Sequence, residues 1–296
     1  MNIKETMVLW FKAARAPFLI ISFIPAVLGG IIAYTDGVFD WWTFIIVTVG
    51  IVMAHSAADF IDDYFDFKNG NLGNKEQQFH DSPLIDGKIK TGHVLIATLI
   101  CLVIALAAGV YLLIEVGMPV LYLMLAGTFI VMFYTSPPIR LNYRGLGETM
   151  LFFAFGPMIV VGVYLVLTHN FSWASFFASI PLGIFTMNVG LISNIFDYDD
   201  DVKSGKKCIP VRYGQKRSVQ LLTLTTILAY ISVIAGVILV ILPLWSLISL
   251  ITLPLAIMVV LETSKYDDNS KYTPAMGKAI GLSTVMGILL CIAFII

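Results

Sequence analysis

Long apolar stretches alternate with short polar segments along the whole chain, and nine of them are about the 20 residues that a helix needs to cross a bilayer. They cover residues 17–36, 41–60, 93–115, 119–136, 149–168, 173–194, 219–240, 243–262 and 277–296. The polar segments fall into two kinds. The amino-terminal segment and the segments after the even-numbered stretches, counted through Lys278 at the very start of the last stretch, hold all 18 lysines and arginines, whereas 35–40, 115–119, 168–172 and 242–245 hold none. Basic residues mark the cytoplasmic side of a membrane protein. The pattern therefore predicts an all-α polytopic membrane protein, 1–296 as one bundle of nine transmembrane helices, with the amino terminus inside and the carboxyl terminus outside.

Composition agrees with that pattern. Of 296 residues 58% are hydrophobic and 12% charged, with a mean hydropathy of +0.90, where soluble domains carry about 25% charged residues. The first stretch follows a basic segment, as a signal peptide would, but its apolar run is longer than a signal core and it reads as a membrane helix. Residues 1–16, with Trp10 and Phe11 beside Lys12 and Arg15, read as an amphipathic lead-in at the interface, where Lys12 serves as an anchor. Two of the three cysteines lie within apolar stretches and the third, Cys208, in a polar segment, so neither a disulfide nor a thiolate metal site is implied. A net charge of -1 gives no reason to expect a nucleic-acid partner.

What the apolar pattern leaves unexplained is a set of carboxylates at the ends of the second and sixth stretches. Asp59, Asp62, Asp63 and Asp66 form the first set. Asn194, Asp197, Asp200 and Asp201 form the second, and one shift in register carries Asp59, Asp62 and Asp63 together onto Asp197, Asp200 and Asp201. The i, i+3, i+4 spacing gathers each triad on one helix face, where like charges repel and nearness to hydrocarbon makes them costlier still. A cation must hold them, and hard oxygen donors without His or Cys point to Mg²⁺ shared with phosphate oxygens. A solvated helix end is the commoner fate of such a run, but two matching sets at equivalent ends favour a site. His55 and His80 read as satisfied polar residues.

Cations lie close by. Lys68 follows the first set, and Lys206 and Lys207 follow the second. Arg140 and Arg144 sit in the Pro- and Gly-rich segment 134–148. Guanidinium forks and ammonium groups suit diphosphate oxygens, although on spacing alone the two arginines serve equally as interfacial anchors, and topology alone would also place the lysines here. The segment from Lys68 to Thr91 is long enough for a lid or binding loop. Asp267 and Asp268 read as solvated charges.

Asp62-Asp63-Tyr-Phe-Asp66-Phe-Lys68-Asn-Gly70 and Asn194-Ile-Phe-Asp197-Tyr-Asp-Asp200-Asp201-Val-Lys-Ser-Gly205-Lys-Lys207 resemble the two aspartate-rich motifs of the UbiA superfamily of intramembrane aromatic prenyltransferases. Leu141-Asn-Tyr-Arg-Gly-Leu-Gly-Glu148 with Phe152-Phe-Ala-Phe-Gly156-Pro157 is similar to the branch that prenylates 1,4-dihydroxy-2-naphthoate in making demethylmenaquinone. Gly70 in place of a final aspartate is similar to that branch too, whereas the chain departs from it in carrying Asp59 and Asp62 where asparagines are usual. The resemblance implies a nine-helix ring in the cell membrane, with Mg²⁺ bound by the eight residues of the two sets. It implies that Asp63, Asp66, Asp197 and Asp201 are central to catalysis, and that Lys68, Arg140, Arg144, Lys206 and Lys207 contact an isoprenyl diphosphate. An aromatic acceptor and membrane lipid are the other partners implied. A terpene cyclase on the same scaffold, a hydroxybenzoate or glycerol phosphate lipid acceptor, and a cation transporter remain alternatives. A transporter would keep its acids at mid-membrane.

The orientation is testable by labelling single cysteines placed at Asp36 and Ser270 in an otherwise cysteine-free chain. An impermeant maleimide added outside should modify the first and spare the second; the reverse pattern would invert the topology.

Overall fold

A computed structural model describes residues 3–69, 84 and 87–296, and among these every regular element is helical. An amphipathic helix, α1 (Ile3–Ala13), leads through a short 3-10 turn into α2 (Ile20–Thr35). Then come α3 (Trp41–Asn69), α4 (Thr91–Val116), α5 (Met118–Phe133), α6 (Gly147–Thr168) and α7 (Trp173–Phe196). Two short helices, α8 (Tyr198–Lys203) and α9 (Ile209–Tyr213), precede α10 (Gln215–Ile238), α11 (Leu244–Thr263) and α12 (Tyr272–Ile295).

Among the described residues eight segments are long and apolar enough to cross a membrane, whereas α5, at 16 residues, is apolar but shorter than the stretch 119–136 suggested. Its end has a local cause, because Pro137 and Pro138 lie just ahead and a proline disfavours helical geometry in the residue before it. In α3 the departure is the opposite one: the helix runs on past residue 60 to Asn69, so all four aspartates of the first set are helical. Most of the segment read as a lid, with Gly70, Lys75, His80 and Asp86, lies outside the described residues.

The most enclosed crossing is α7, whose Leu182, Phe185, Leu191, Ile192 and Ile195 are fully buried. It meets α6 at a contact that only glycines permit. A Cβ on Gly156 would lie 2.8 Å from Gly183 Cα and 2.9 Å from the Ser179 carbonyl oxygen. Around this contact α6 widens into one π turn, Ala154–Met158, which contains Pro157. Proline removes a backbone donor, and π turns are common beside functional cavities. By contrast α4 and α5 expose apolar faces, among them Leu99, Ile100, Val103, Tyr122 and Leu125, that suit lipid.

Exposed Trp41, Trp42, Phe171, Trp173 and Trp245 lie at or near the helix ends opposite the aspartates, as an interfacial aromatic belt does. At the aspartate end, α1 lies against α3, with Trp10 edge-on to Phe60 at 6.1 Å, while Met7, Val8 and Phe11 remain exposed.

Gly156→Ala is expected to destabilise the fold by about 1–3 kcal/mol, because backbone on both sides of the contact would have to move. Thermal unfolding in detergent reads this; an unchanged Tm would mean that α6 and α7 can separate without penalty.

Candidate active site

The two aspartate sets line one cavity of about 230 Å³ at the same end of the bundle. At the helical repeat of about 3.6 residues per turn, Asp59, Asp62 and Asp66 of α3 fall on one narrow stripe, and these three line the cavity while Asp63 does not. Asp63, slightly more than a full turn beyond Asp59, overshoots the edge of the stripe and turns toward α1, where it pairs with Arg15. From the other side come Asn194, at the end of α7, Asp197, at the break between α7 and α8, and Asp200 and Asp201 of α8.

The aspartates that correspond in the two sets share a fate. Asp63 and Asp201 are 2% and 1% exposed, and each is clamped by a cation, half-buried Arg15 for the first and buried Lys206 for the second. Arg15, in left-handed backbone geometry just before the 3-10 turn, donates through Nη2 to Asp63 Oδ1 and approaches Asp62 Oδ2 at 3.4 Å through Nη1. Lys206 lies 3.1 Å from Asp201 and donates to Asn194 Oδ1 at 2.8 Å. Burial pulls the Arg15 and Lys206 pKa values down, yet the neighbouring carboxylates more than offset it, Asp63 foremost for Arg15 and Asp201 then Asp66 for Lys206. Both cations therefore stay charged. At Asp197 burial, and then the Asp201 charge, pushes the carboxyl up to about 6.

Further polar groups hold this frame. Tyr143 donates to Asp66 Oδ1 at 3.0 Å, and burial followed by the Asp66 charge raises its phenol. Tyr272 donates to Asp197 Oδ2 at 3.2 Å and stacks on Phe196 at 5.0 Å. Buried Glu148 accepts from Asn194 Nδ2 at 2.9 Å and from the Ile209 N–H at 3.2 Å. Next to the second clamp, the Cys208 thiol donates to Asp201 Oδ2 at 3.2 Å.

Among the described residues no three His, Cys, Asp or Glu side chains already converge as a metal cage. Mg²⁺ does not require one, because it keeps several waters and is held through one or two carboxylates plus substrate phosphates. The donors fit that mode. Asp59 Oδ2 and Asp62 Oδ1 are buried with no hydrogen-bond partner among the described residues, and both side chains line the cavity. Asp66, Asp197 and Asp200 line it with them, as do Asn194 and Asp201, which Lys206 engages.

Of the five cations that sequence spacing singles out, only Lys206 lines the cavity. Lys68, Arg144 and Lys207 are exposed. Lys68 lies 6.0 Å from the Tyr64 ring, and Arg144 donates to the Pro138 carbonyl at 3.2 Å. Arg140 donates to Asn69 Oδ1 at 3.3 Å, and its guanidinium lies 5.4 Å from the Tyr143 ring. The cation that spacing missed is Arg15, which is remote from Asp63 in the chain; its only signal was a basic residue entering the first span. His55, read as satisfied, is within 2.9 Å of Ser22 Oγ and 3.7 Å from Asp59 Oδ2, and it lines the cavity.

The UbiA prenyltransferase family model matches residues 22–288. The 2-carboxy-1,4-naphthoquinone phytyltransferase of Synechocystis sp. is 26% identical over 89% of this chain and 85% of its own length. The 1,4-dihydroxy-2-naphthoate octaprenyltransferase of Bacillus subtilis is 26% identical over 99% and 94%. A solved UbiA homologue from Archaeoglobus fulgidus, bound to GPP and Mg²⁺, superposes with a TM-score of 0.62 at 16% identity, over 96% of this chain and 99% of that one.

Lys206→Met should leave buried Asp201 without its cation and cost about 3–5 kcal/mol of stability. Lys207→Met, at an exposed position, should leave the Tm in detergent unchanged. Equal Tm shifts in the two variants would show that Lys206 is no clamp.

Proposed function

The chain belongs to the UbiA prenyltransferase family, and from that premise we propose that it transfers an isoprenyl group from an isoprenyl diphosphate to an aromatic acceptor of the 1,4-dihydroxy-2-naphthoate type, with Mg²⁺. The observation that carries this reading is the facing of two carboxylate sets across one cavity, with oxygens at Asp59 and Asp62 that make no hydrogen bond among the described residues, and with cations at half-buried Arg15 and buried Lys206. The acceptor class is supported by the names of the Synechocystis and B. subtilis relatives. The use of Mg²⁺ with a prenyl diphosphate is supported by the archaeal homologue's complex.

Asp59, Asp62 and Asp66 of α3, with Asp197 and Asp200 opposite, would hold the divalent ion, which supplies charge neutralisation that favours diphosphate as a leaving group. Arg15 beside the first set and Lys206 beside the second line the same cavity and would meet the remaining phosphate oxygens. The allylic C–O bond then breaks with its electron pair going to diphosphate, an acceptor ring carbon donates a pair to form the new C–C bond, and that carbon releases its proton. Phe155 and Tyr134 line the cavity, and their ring faces favour positive charge on the allylic carbon. The membrane bundle keeps water from that carbon. In this reading Met118–Phe133 is a ninth, short crossing, and the aspartate end faces the cytoplasm.

Purified protein should form prenylated naphthoate only with a divalent ion, and chelation should stop it reversibly. Asp66→Asn and Asp197→Asn are expected to lower donor kcat/KM by at least about a hundredfold, and Arg15→Gln by about ten- to a hundredfold, with Arg15→Lys between. Lys271→Gln is the control. Near-normal turnover in both aspartate variants would remove the metal assignment. A cyclised hydrocarbon formed without acceptor would identify a terpene cyclase, and turnover only with hydroxybenzoate or glycerol phosphate lipid would reassign the acceptor.

A further inference from the structure

A second chamber, of about 400 Å³, lies beside the polar cavity between α3, α4, α5 and α6. The two share His55, Ala58, Ile130, Val131, Ala154 and Phe155, which form a neck between them. From the neck the chamber reaches Val47 along α3 and Val120 along α5, about 15 Å of helix rise. Among the described residues no Asp, Glu, Lys or Arg lines it. A ring bearing a carboxylate gains nothing there, whereas an isoprenoid chain anchored by its diphosphate on the far side of the neck can be buried along its length.

Its width depends on small residues, and one of them lacks the usual reason to be small. Glycine in a membrane helix commonly allows a close neighbour. Gly109 fits that rule, since a Cβ there would lie 2.7 Å from the Met124 side chain. At Gly127, one turn of α5 from the neck, the nearest atom to an added Cβ is Met158 Cε at 3.9 Å. That is ordinary contact, so packing does not demand glycine. Gly127 also lines the chamber, so what its missing side chain provides is open space for an occupant.

We propose that this chamber receives the donor's isoprenoid tail and that Gly127 determines how long a tail is accepted; the assignment rests on the prenyl-transfer reading above. Leu123, a further turn from the neck on the same helix, is the next position at which bulk would shorten the accepted chain.

The test is a donor series of dimethylallyl, geranyl, geranylgeranyl and octaprenyl diphosphate with one acceptor. Gly127→Leu is expected to raise the kcat/KM ratio of geranyl over geranylgeranyl donor by about tenfold or more. Gly127→Ala should shift it less, and Leu123→Phe should act chiefly on the octaprenyl donor. Continued turnover of dimethylallyl diphosphate, with an unchanged Tm, shows that Gly127→Leu is folded. A length profile identical to wild type in a folded, active Gly127→Leu would overturn the assignment, whether the chamber holds a bilayer acyl chain or the tail leaves past Phe18 and Met276. Wild-type protein that prenylates nothing with any donor would instead remove the transferase reading, and this assignment with it.

Discussion

Carboxylates of like charge gathered where water is scarce need counter-charge, and the rest of the site is arranged around meeting that need. The structure meets it in two portions. One aspartate of each set, Asp63 and Asp201, is paired with a cation of the protein itself. The others face the cavity, and Asp59 and Asp62 each keep an oxygen with no hydrogen-bond partner among the described residues. Fixed clamps of this kind stop the two helix ends from repelling each other before substrate arrives, while the unpaired oxygens leave binding energy for a cation that comes with it. Removing either clamp strands a buried charge, a larger loss than a surface ion pair would represent.

Holding the sets face to face is a matter of helix packing. The glycine contact between Gly156 and Gly183 sets how near α6 comes to α7, and the π turn beside it brings Ala154 and Phe155 to the cavity wall. From α6, Glu148 reaches Asn194, which accepts from Lys206, which in turn pairs with Asp201. Helix spacing and charge placement are thus linked through one chain of buried hydrogen bonds.

Much of this was legible in the sequence because a bilayer demands long apolar helices, against which a cluster of carboxylates stands out. The apolar stretches located the spans, and the i, i+3, i+4 spacing picked out the two carboxylate sets that line the cavity. What spacing could not resolve is which way a side chain turns at the margin of a stripe: Asp63 sits little more than one turn from Asp59, yet it faces Arg15. Arg15 itself was hidden because a basic residue ahead of a first span is expected for topology alone. Lys68, Arg144 and Lys207 share its chemistry and sit on the surface, and only tertiary contact separates them from it. The short α5 reflects a proline pair whose effect on helix length, unlike its presence, depends on where the chain turns.

One detail bears on how such an enzyme survives its own chemistry. Cys208 is fully buried beside Asp201, and burial, reinforced by that carboxylate, pushes its thiol up to about 12. Nucleophilic sulfur is the thiolate, which at neutral pH is then almost absent. Naphthoquinones, the oxidised form of the acceptor class proposed here, are electrophiles that alkylate thiolates. A buried sulfur kept protonated beside the second clamp is a poor nucleophile, so this position can carry a cysteine that donates to Asp201 without offering a reactive thiolate.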